Sequence, residues 1–286
     1  MTTPQILCTG TLAVDHIAAV ADGFAAGDLN GKLHAPQKHW GGCGMNLAYG
    51  LARAGSHALP WVFYGDDCPA NYLKHIQAQH IDERVLVRQA GADCAAAYIF
   101  TRDDGSQLTG FYPGSTKFRP PIGDQEKAIR ECDTWIAGPE DDATLLSRLA
   151  YIPSASALYW MPGQYAEVTR NNVLEPMLAR RPNLIVNAKE WQTLLTTCGE
   201  QQLLATVAAV FITQGEHGVK FRARPEDSFS QRPTSSAATI DPTGCGDAFC
   251  ATLVAKLSQG ASVATAIDHA QEIAALCLSR AGSQTY

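Results

Sequence analysis

Short apolar runs alternate along this chain with longer stretches of helical period. That alternation predicts β-α-β units built around a largely parallel sheet. Strands are expected near residues 6–9, 58–64, 84–88, 134–137, 157–161, 184–187 and 209–213. Helices are expected between them, among them 45–54, 71–79, 165–180, 246–258 and 262–280. Gly55 and Gly260 stand just past two of these helices, where a chain commonly leaves a helix through a left-handed residue.

Two stretches break the alternation. Residues 15–41 hold no good helix, only strand-like runs at 16–20 and 32–40. Residues 94–112 hold two strand-like runs joined by Asp103, Asp104 and Gly105, and Asp-Gly is a hairpin signal. Strands inserted into an α/β chain suggest a small separate sheet. Lying over the carboxyl ends of the main strands, such a sheet would serve as a lid. Residues 1–286 therefore read as one α/β domain with insertions near 15–41 and 94–112.

A chain of 286 residues that is 46% hydrophobic can bury one large core. Its formal charge is -6 and its 22 Lys and Arg residues are scattered, so no basic stripe tracks a nucleic-acid backbone. Net charge does not exclude a phosphate ligand, because backbone amides alone can build an anion site. The nine cysteines are dispersed with no C-x-x-C pair, which fits free thiols in a reducing cytosol better than a disulfide framework or a zinc site. The apolar run 203–212 is too short to span a bilayer and no secretory signal opens the chain, so the expectation is a cytoplasmic protein with no membrane partner.

The candidate chemistry lies where a strand end meets glycines and then a helix. The run is Asp241, Pro242, Thr243, Gly244, Cys245, Gly246, Asp247, Ala248 and Phe249. Without a Cβ, Gly244 and Gly246 let backbone amides approach a ligand. The helix behind them points its free N–H groups and positive dipole end into the same space. Asp247 in the first turn reads either as a helix-capping carboxylate or as a general base beside an anion hole. Other phosphate motifs fail: Gly31-Lys32 lacks Walker spacing, and Phe249 stands where a dinucleotide fingerprint needs its third glycine.

At these residues the sequence resembles the ribokinase-like superfamily of sugar and nucleoside kinases, also called the phosphofructokinase B group. The run from Asp241 to Phe249 is similar to its D-x-x-G-x-G-D-x-F signature, and Gly41, Gly42 and Asn46 fill its G-G-x-x-x-N signature. Asn187 and Glu190 resemble its N-x-x-E motif, and Thr213, Gly215 and Gly218 its T-x-G-x-x-G turn. The wording is most similar to bacterial adenosine or nucleoside kinases. The resemblance implies a three-layer α/β fold with a β-sheet lid, and ATP-dependent phosphorylation of a ribose 5′-hydroxyl, with adenosine as the acceptor. It implies Asp247 as base, the amides of Gly244, Cys245 and Gly246 on the transferring phosphoryl group, and Asp15, Gly42 and Asn46 on the ribose.

It further implies an ATP site touching Thr213, Gly215, Gly218, Thr243 and His269. Mg²⁺ would be held through water by Asn187 and Glu190, with a monovalent cation, K⁺, near Asp241. Several of these have a second reading: Asn187 with Glu190 is also a capping box, and His269 also suits a solvated helix face. Tyr98, Phe100, Phe111 and Tyr112 in the lid suit either base stacking or sheet packing. A sugar kinase acting on ribose or fructose would keep every motif, and a non-catalytic nucleotide-binding protein is the alternative of another class. Monomer and homodimer both stay open.

Overall fold

The computed structural model describes residues 5–21, 32–102, 107–167, 171–234 and 239–286. Side-chain alternation along its central strand divides the interior in two. In β1 (Gln5–Thr9), Ile6 and Cys8 enter one apolar layer and Leu7 the other, and all three are fully buried. The neighbouring strands obey the same period of two. Ala58 and Val62 join Ile6, whereas Leu59, Trp61 and Phe63 join Leu7; these residues belong to β4 (His57–Tyr64).

The main sheet continues with β5 (Leu86–Arg88), β8 (Thr134–Ala137), β9 (Ala157–Trp160), β10 (Asn183–Asn187) and β11 (Ala209–Thr213). Two short edge strands, β12 (Val219–Arg222) and β13 (Ser230–Arg232), complete it. The order is β13-β12-β11-β10-β9-β8-β1-β4-β5. Its pairings are parallel except those of β12, which runs antiparallel to both neighbours.

One face carries α1 (Cys43–Arg53), α2 (Ala70–Ala78), α8 (Cys245–Ser258) and α9 (Val263–Leu278), through residues such as Met45, Ile76, Phe249 and Ile267. The other carries α3 (Asp124–Arg130), α4 (Asp142–Leu149), α5 (Asn171–Ala179), α6 (Ala188–Cys198) and α7 (Glu200–Thr206), through Ile129, Leu145, Met177, Leu194 and Leu203. This is the expected three-layer α/β architecture.

A second, four-stranded sheet combines β2 (Ala13–Ala21), β3 (Lys32–Gly41), β6 (Ala95–Thr101) and β7 (Gln107–Tyr112) in the order β3-β2-β6-β7. β1 stops at Thr9 and β2 begins at Ala13, so this sheet grows from the carboxyl edge of the main one. The predicted turn residues Asp103, Asp104 and Gly105 lie outside the described residues, although the strands on either side pair antiparallel.

Three expectations need correction. The strand expected at 84–88 is only Leu86–Arg88, because Asp82 caps a 3₁₀ turn over Glu83–Val85 by accepting from the Arg84 N–H at 3.0 Å. The helix expected at 165–180 is instead a 3₁₀ turn, Gly163–Glu167, and then α5. β12 and β13 had no clear signal, being three or four residues long with charged positions among them.

Behind the loop that follows β8, Arg148 and Glu140 form an ion pair with nitrogen–oxygen distances of 2.5–2.9 Å. Both side chains are shut off from solvent, and the guanidinium lies 4.4 Å from the Trp61 ring centre and 5.1 Å from that of Phe63. Burial pushes the Glu140 carboxyl above its ordinary range, against the pull of Arg148. Removing one partner of such a pair strands a charge in an apolar layer. Arg148→Met should therefore cost about 3–5 kcal/mol in urea unfolding, and Glu140→Gln in the same chain should restore a large part of it.

Candidate active site

Gly244 sets the geometry of the site. Its φ of 81° is left-handed, and a Cβ there would collide with Ser283, so both conformation and space demand glycine. From that turn α8 starts at Cys245, and its first N–H groups open onto the carboxyl edge of the sheet. Gly246 differs, since a Cβ there would meet nothing within 4 Å. The folded chain itself does not require this glycine, and it borders two adjoining clefts.

Asp247 sits in the first turn of α8, enclosed by protein except toward the cleft it lines. Its Oδ2 accepts a hydrogen bond of 2.8 Å from the Asn46 amide. Burial pushes its carboxyl up to about 7; the Asn46 bond opposes that rise and the charge of Glu190 adds to it.

The partners of Asp247 come from the N-terminal part of the chain. Gly42 caps α1 at φ 88°, and a Cβ there would meet the Ala13 N–H and the Thr11 carbonyl at 2.5 Å. Its neighbour Gly41 leaves room for the carboxylate of Asp15, which any Cβ at position 41 would strike. Asp15 is only 4% exposed, and burial pushes it up to about 7, with the charges of Asp247 and then Asp241 adding to the effect. Asp15, Gly42 and Asn46 are thus gathered around Asp247, beneath the second sheet and set back from the walls of the clefts.

The larger cleft, of about 640 Å³, is bordered by Gly244, Gly246, Asp247, Asn187 and Glu190. Asn187 and Glu190 do form a capping box, with the Glu190 N–H donating to Asn187 Oδ1 at 2.9 Å and the Asn187 N–H donating back at 3.0 Å. The cap turns the Glu190 carboxylate toward the cleft, where burial raises it. Among the described residues there is no group of three or more His, Cys, Asp or Glu that could enclose a metal. Two carboxylates repelling each other across a cleft instead suit a hydrated hard cation, which keeps much of its water shell.

The adjoining cleft, of about 520 Å³, is predominantly apolar, with Val219, Phe249, Ala274, Ala275 and Leu278 in its walls. Thr213, Gly215, Gly218 and Cys245 border it, and Thr213 also borders the larger cleft. His269 does not: it is exposed on α9 beside Glu272, and the helix turns Gln271 and Ala274 to the cleft instead. Thr243 also stays out of both clefts; its N–H donates to Asp241 Oδ1 at 2.9 Å. The second oxygen of Asp241 accepts from the Gly282 N–H at 2.9 Å, so amides engage both ends of the carboxylate expected near K⁺.

The register of the second sheet sorts its aromatic residues. Asp15 pairs with Ala97 and Ala97 with Phe111, so Phe111 shares the face of Asp15. Tyr98, Phe100 and Tyr112 alternate onto the opposite face, where Tyr98 stacks on His16 with ring centres 4.9 Å apart. Sequence reasoning missed Gln164 and Lys189 in the larger cleft and the contacts of Ser283 and Gln284 with Asn46. Gln164 lies outside any glycine or signature pattern, Lys189 fills a variable position of the N-x-x-E motif, and the contacts to Asn46 cross more than 230 positions.

The Burkholderia thailandensis nucleoside kinase solved in complex with inosine is 27% identical, with a TM-score of 0.86 over 98% of this chain and 93% of that one. The same Burkholderia protein has been solved in complex with ADP-inosine, at 26% identity and a TM-score of 0.83 over 98% and 91%. A nucleoside kinase of Methanocaldococcus jannaschii is 24% identical over 90% of this chain and 84% of its own length. The pfkB family carbohydrate kinase pattern matches residues 3–286, essentially the whole sequence. The chain belongs to the pfkB family of carbohydrate kinases, phosphotransferases that act on an alcohol group.

Proposed function

We propose that this protein is an ATP-dependent nucleoside kinase that phosphorylates a ribose 5′-hydroxyl, with adenosine as the preferred acceptor. One observation carries the reading: a carboxylate with a pKa near neutrality stands in the first turn of a helix that starts between Gly244 and Gly246, where two clefts adjoin. The predominantly apolar cleft suits the adenine of ATP and the larger one suits the phosphates. The Burkholderia relative, solved with inosine and with ADP, supports a nucleoside over a free sugar.

In the proposed reaction an Asp247 oxygen takes the proton of the 5′-hydroxyl. The freed oxygen forms a bond to the γ-phosphorus while the bond from that phosphorus to the ADP oxygen breaks. The amides of Gly244, Cys245 and Gly246 hold the transferring group, Cys245 sharing its N–H with the Pro242 carbonyl that it meets at 3.3 Å. Asp15 and Asn46 bind ribose hydroxyls, and Phe111 offers a ring on the same side for the base. Asn187 and Glu190 would hold Mg²⁺ through water, and that ion would supply positive charge against the phosphates. K⁺ does not enter the proposal, because Asp241 uses its carboxylate to tie the Thr243 and Gly282 amides together.

Coupled turnover assays with ATP and Mg²⁺, comparing adenosine, inosine, ribose and fructose, test this directly. Adenosine should be turned over best, and Asp247→Asn should lower kcat by about 10²–10⁴. Because the base acts ionised, wild-type kcat/KM should rise with pH through about 7. Turnover of sugars alone would reassign the acceptor, and ATP binding with no turnover of any acceptor would leave a nucleotide-binding protein.

The same burial has a thermodynamic signature. A carboxyl whose folded pKa, about 7, lies above its unfolded value of roughly 3.9 favours the folded state only while protonated, so wild-type stability falls as pH rises between the two. Unliganded Asp247→Asn should therefore be more stable than wild type at pH 8, by about 1–3 kcal/mol in urea melts, allowing for the open side of the cleft. At pH 5 the difference should shrink to about a third of that, and it should vanish only below about pH 4.

A further inference from the structure

The amide of Asn46 can meet Asp247 in two ways: through its NH₂, which stabilises the ionised base, or through its oxygen, which opposes it. A chain of hydrogen bonds on the far side of Asn46 decides between them. The carbonyl of Gly41 can only accept, and it takes the Tyr72 hydroxyl proton at 2.8 Å. With its proton committed, Tyr72 must itself accept, and it does so from Gln284 Nε2 at 2.9 Å. The same Gln284 nitrogen donates to Asn46 at 3.0 Å, which fixes that end of the amide as oxygen. Ser283 reaches the same oxygen at 2.9 Å, but its single proton is shared with the Trp40 carbonyl at 3.1 Å. Gln284 is therefore the stronger director.

Among the described residues no cation acts on Asp247 itself, and His75 of α2 meets the hydrogen-bond network at Gln284. The titratable groups facing Asp247 are Asp15 from β2, Cys43 from α1, Glu190 from α6, Cys250 on its own helix, Cys277 from α9, and Tyr286. All are acids, and Asn46 is the one group that pulls Asp247 toward its charged form. Tyr72, Ser283 and Gln284 are themselves buried, so water does not readily replace a lost partner.

We propose that Gln284, directed by Tyr72 and assisted by Ser283, is a positioning residue for phosphoryl transfer that holds the Asn46 amide with its NH₂ toward Asp247. The inference rests on Asp247 being the general base, as proposed above. In Gln284→Leu, Asn46 is free to turn its oxygen to Asp247, the carboxyl titrates at higher pH, and less base is available at neutrality.

Steady-state kinetics from pH 5.5 to 9, with urea melts to check folding, provide the test. In Gln284→Leu, kcat at pH 7 should fall about tenfold or more, within the range a positioned base supplies. The acid limb of the kcat profile should move to higher pH, the deficit should narrow at pH 9, and KM for ATP should stay within about twofold. Tyr72→Phe should move the profile the same way by less, and it serves if Gln284→Leu does not fold. In an Asn46→Ala background, Gln284→Leu should change kcat no further, since the pair acts as a unit. A folded Gln284→Leu enzyme with an unchanged kcat, a loss that is the same at every pH, or an additive loss in the Asn46→Ala background would overturn the proposal. Carboxyl NMR titration of Asp247 in the unliganded protein separates this failure from that of the kinase reading. A titration shift without wild-type turnover would refute the reaction, whereas turnover without a shift would refute the role of Gln284.

Discussion

The hydrogen bond from Asn46 to Asp247 is the contact on which the candidate site depends. It joins the first helix of one face to the eighth across 201 positions of sequence, and it is the side-chain donor that steadies a carboxylate otherwise surrounded by acids. For it to form, α1 and α8 must pack side by side through residues such as Met45, Leu47, Phe249 and Leu253. The glycines at both helix starts exist to bring backbone and carboxylates close enough. Gly42 and Gly244 are left-handed, while Gly41 leaves the space that Asp15 fills. Architecture and chemistry meet in that one pair.

The price of the arrangement is electrostatic. Asp15, Asp247 and Glu190 converge from three elements, and burial raises each above its ordinary range, with the neighbouring Lys189 only partly offsetting it at Glu190. Elsewhere a buried charge is answered directly: Arg148 faces Glu140 at close range, under two aromatic rings. The contrast is informative. Asp15 and Asp247 lack the close ion pair that Glu140 has, and perturbed carboxylates grouped at a sheet edge are a feature of candidate ligand sites.

Much of this was legible in the sequence because it is local. Period-two and helical patterns located the parallel strands within one or two residues at most positions, and the glycine signatures marked both helix starts. The Asn187 and Glu190 pair was readable as a capping box because the two residues stand three apart. Legibility failed where the outcome depends on register or distance. Phe111 and Tyr112 are adjacent and chemically alike, yet pairing with Ala97 sends only Phe111 to the side of Asp15. His269 carried the chemistry expected of a ligand-site residue, but one helical turn decides that Gln271 and Ala274 face the cleft. Ser283 and Gln284 belong to no periodic pattern, and their importance appears only once the ends of the chain meet.

That meeting has a consequence for the order in which the molecule assembles. Tyr49 donates to the Tyr286 carbonyl, and Gln284 reaches Asn46 and Tyr72, so contacts spanning more than 200 positions close at the candidate site. Loop-closure entropy makes such contacts the most expensive to form early, whereas β1, β4, β8 and the helices over them can join through far shorter separations. During synthesis the sheet can therefore exist before the site does. A chain synthesised only as far as α8 carries Asn46 and Asp247 but not Gln284, so the hydrogen bonds around Asn46 are completed late.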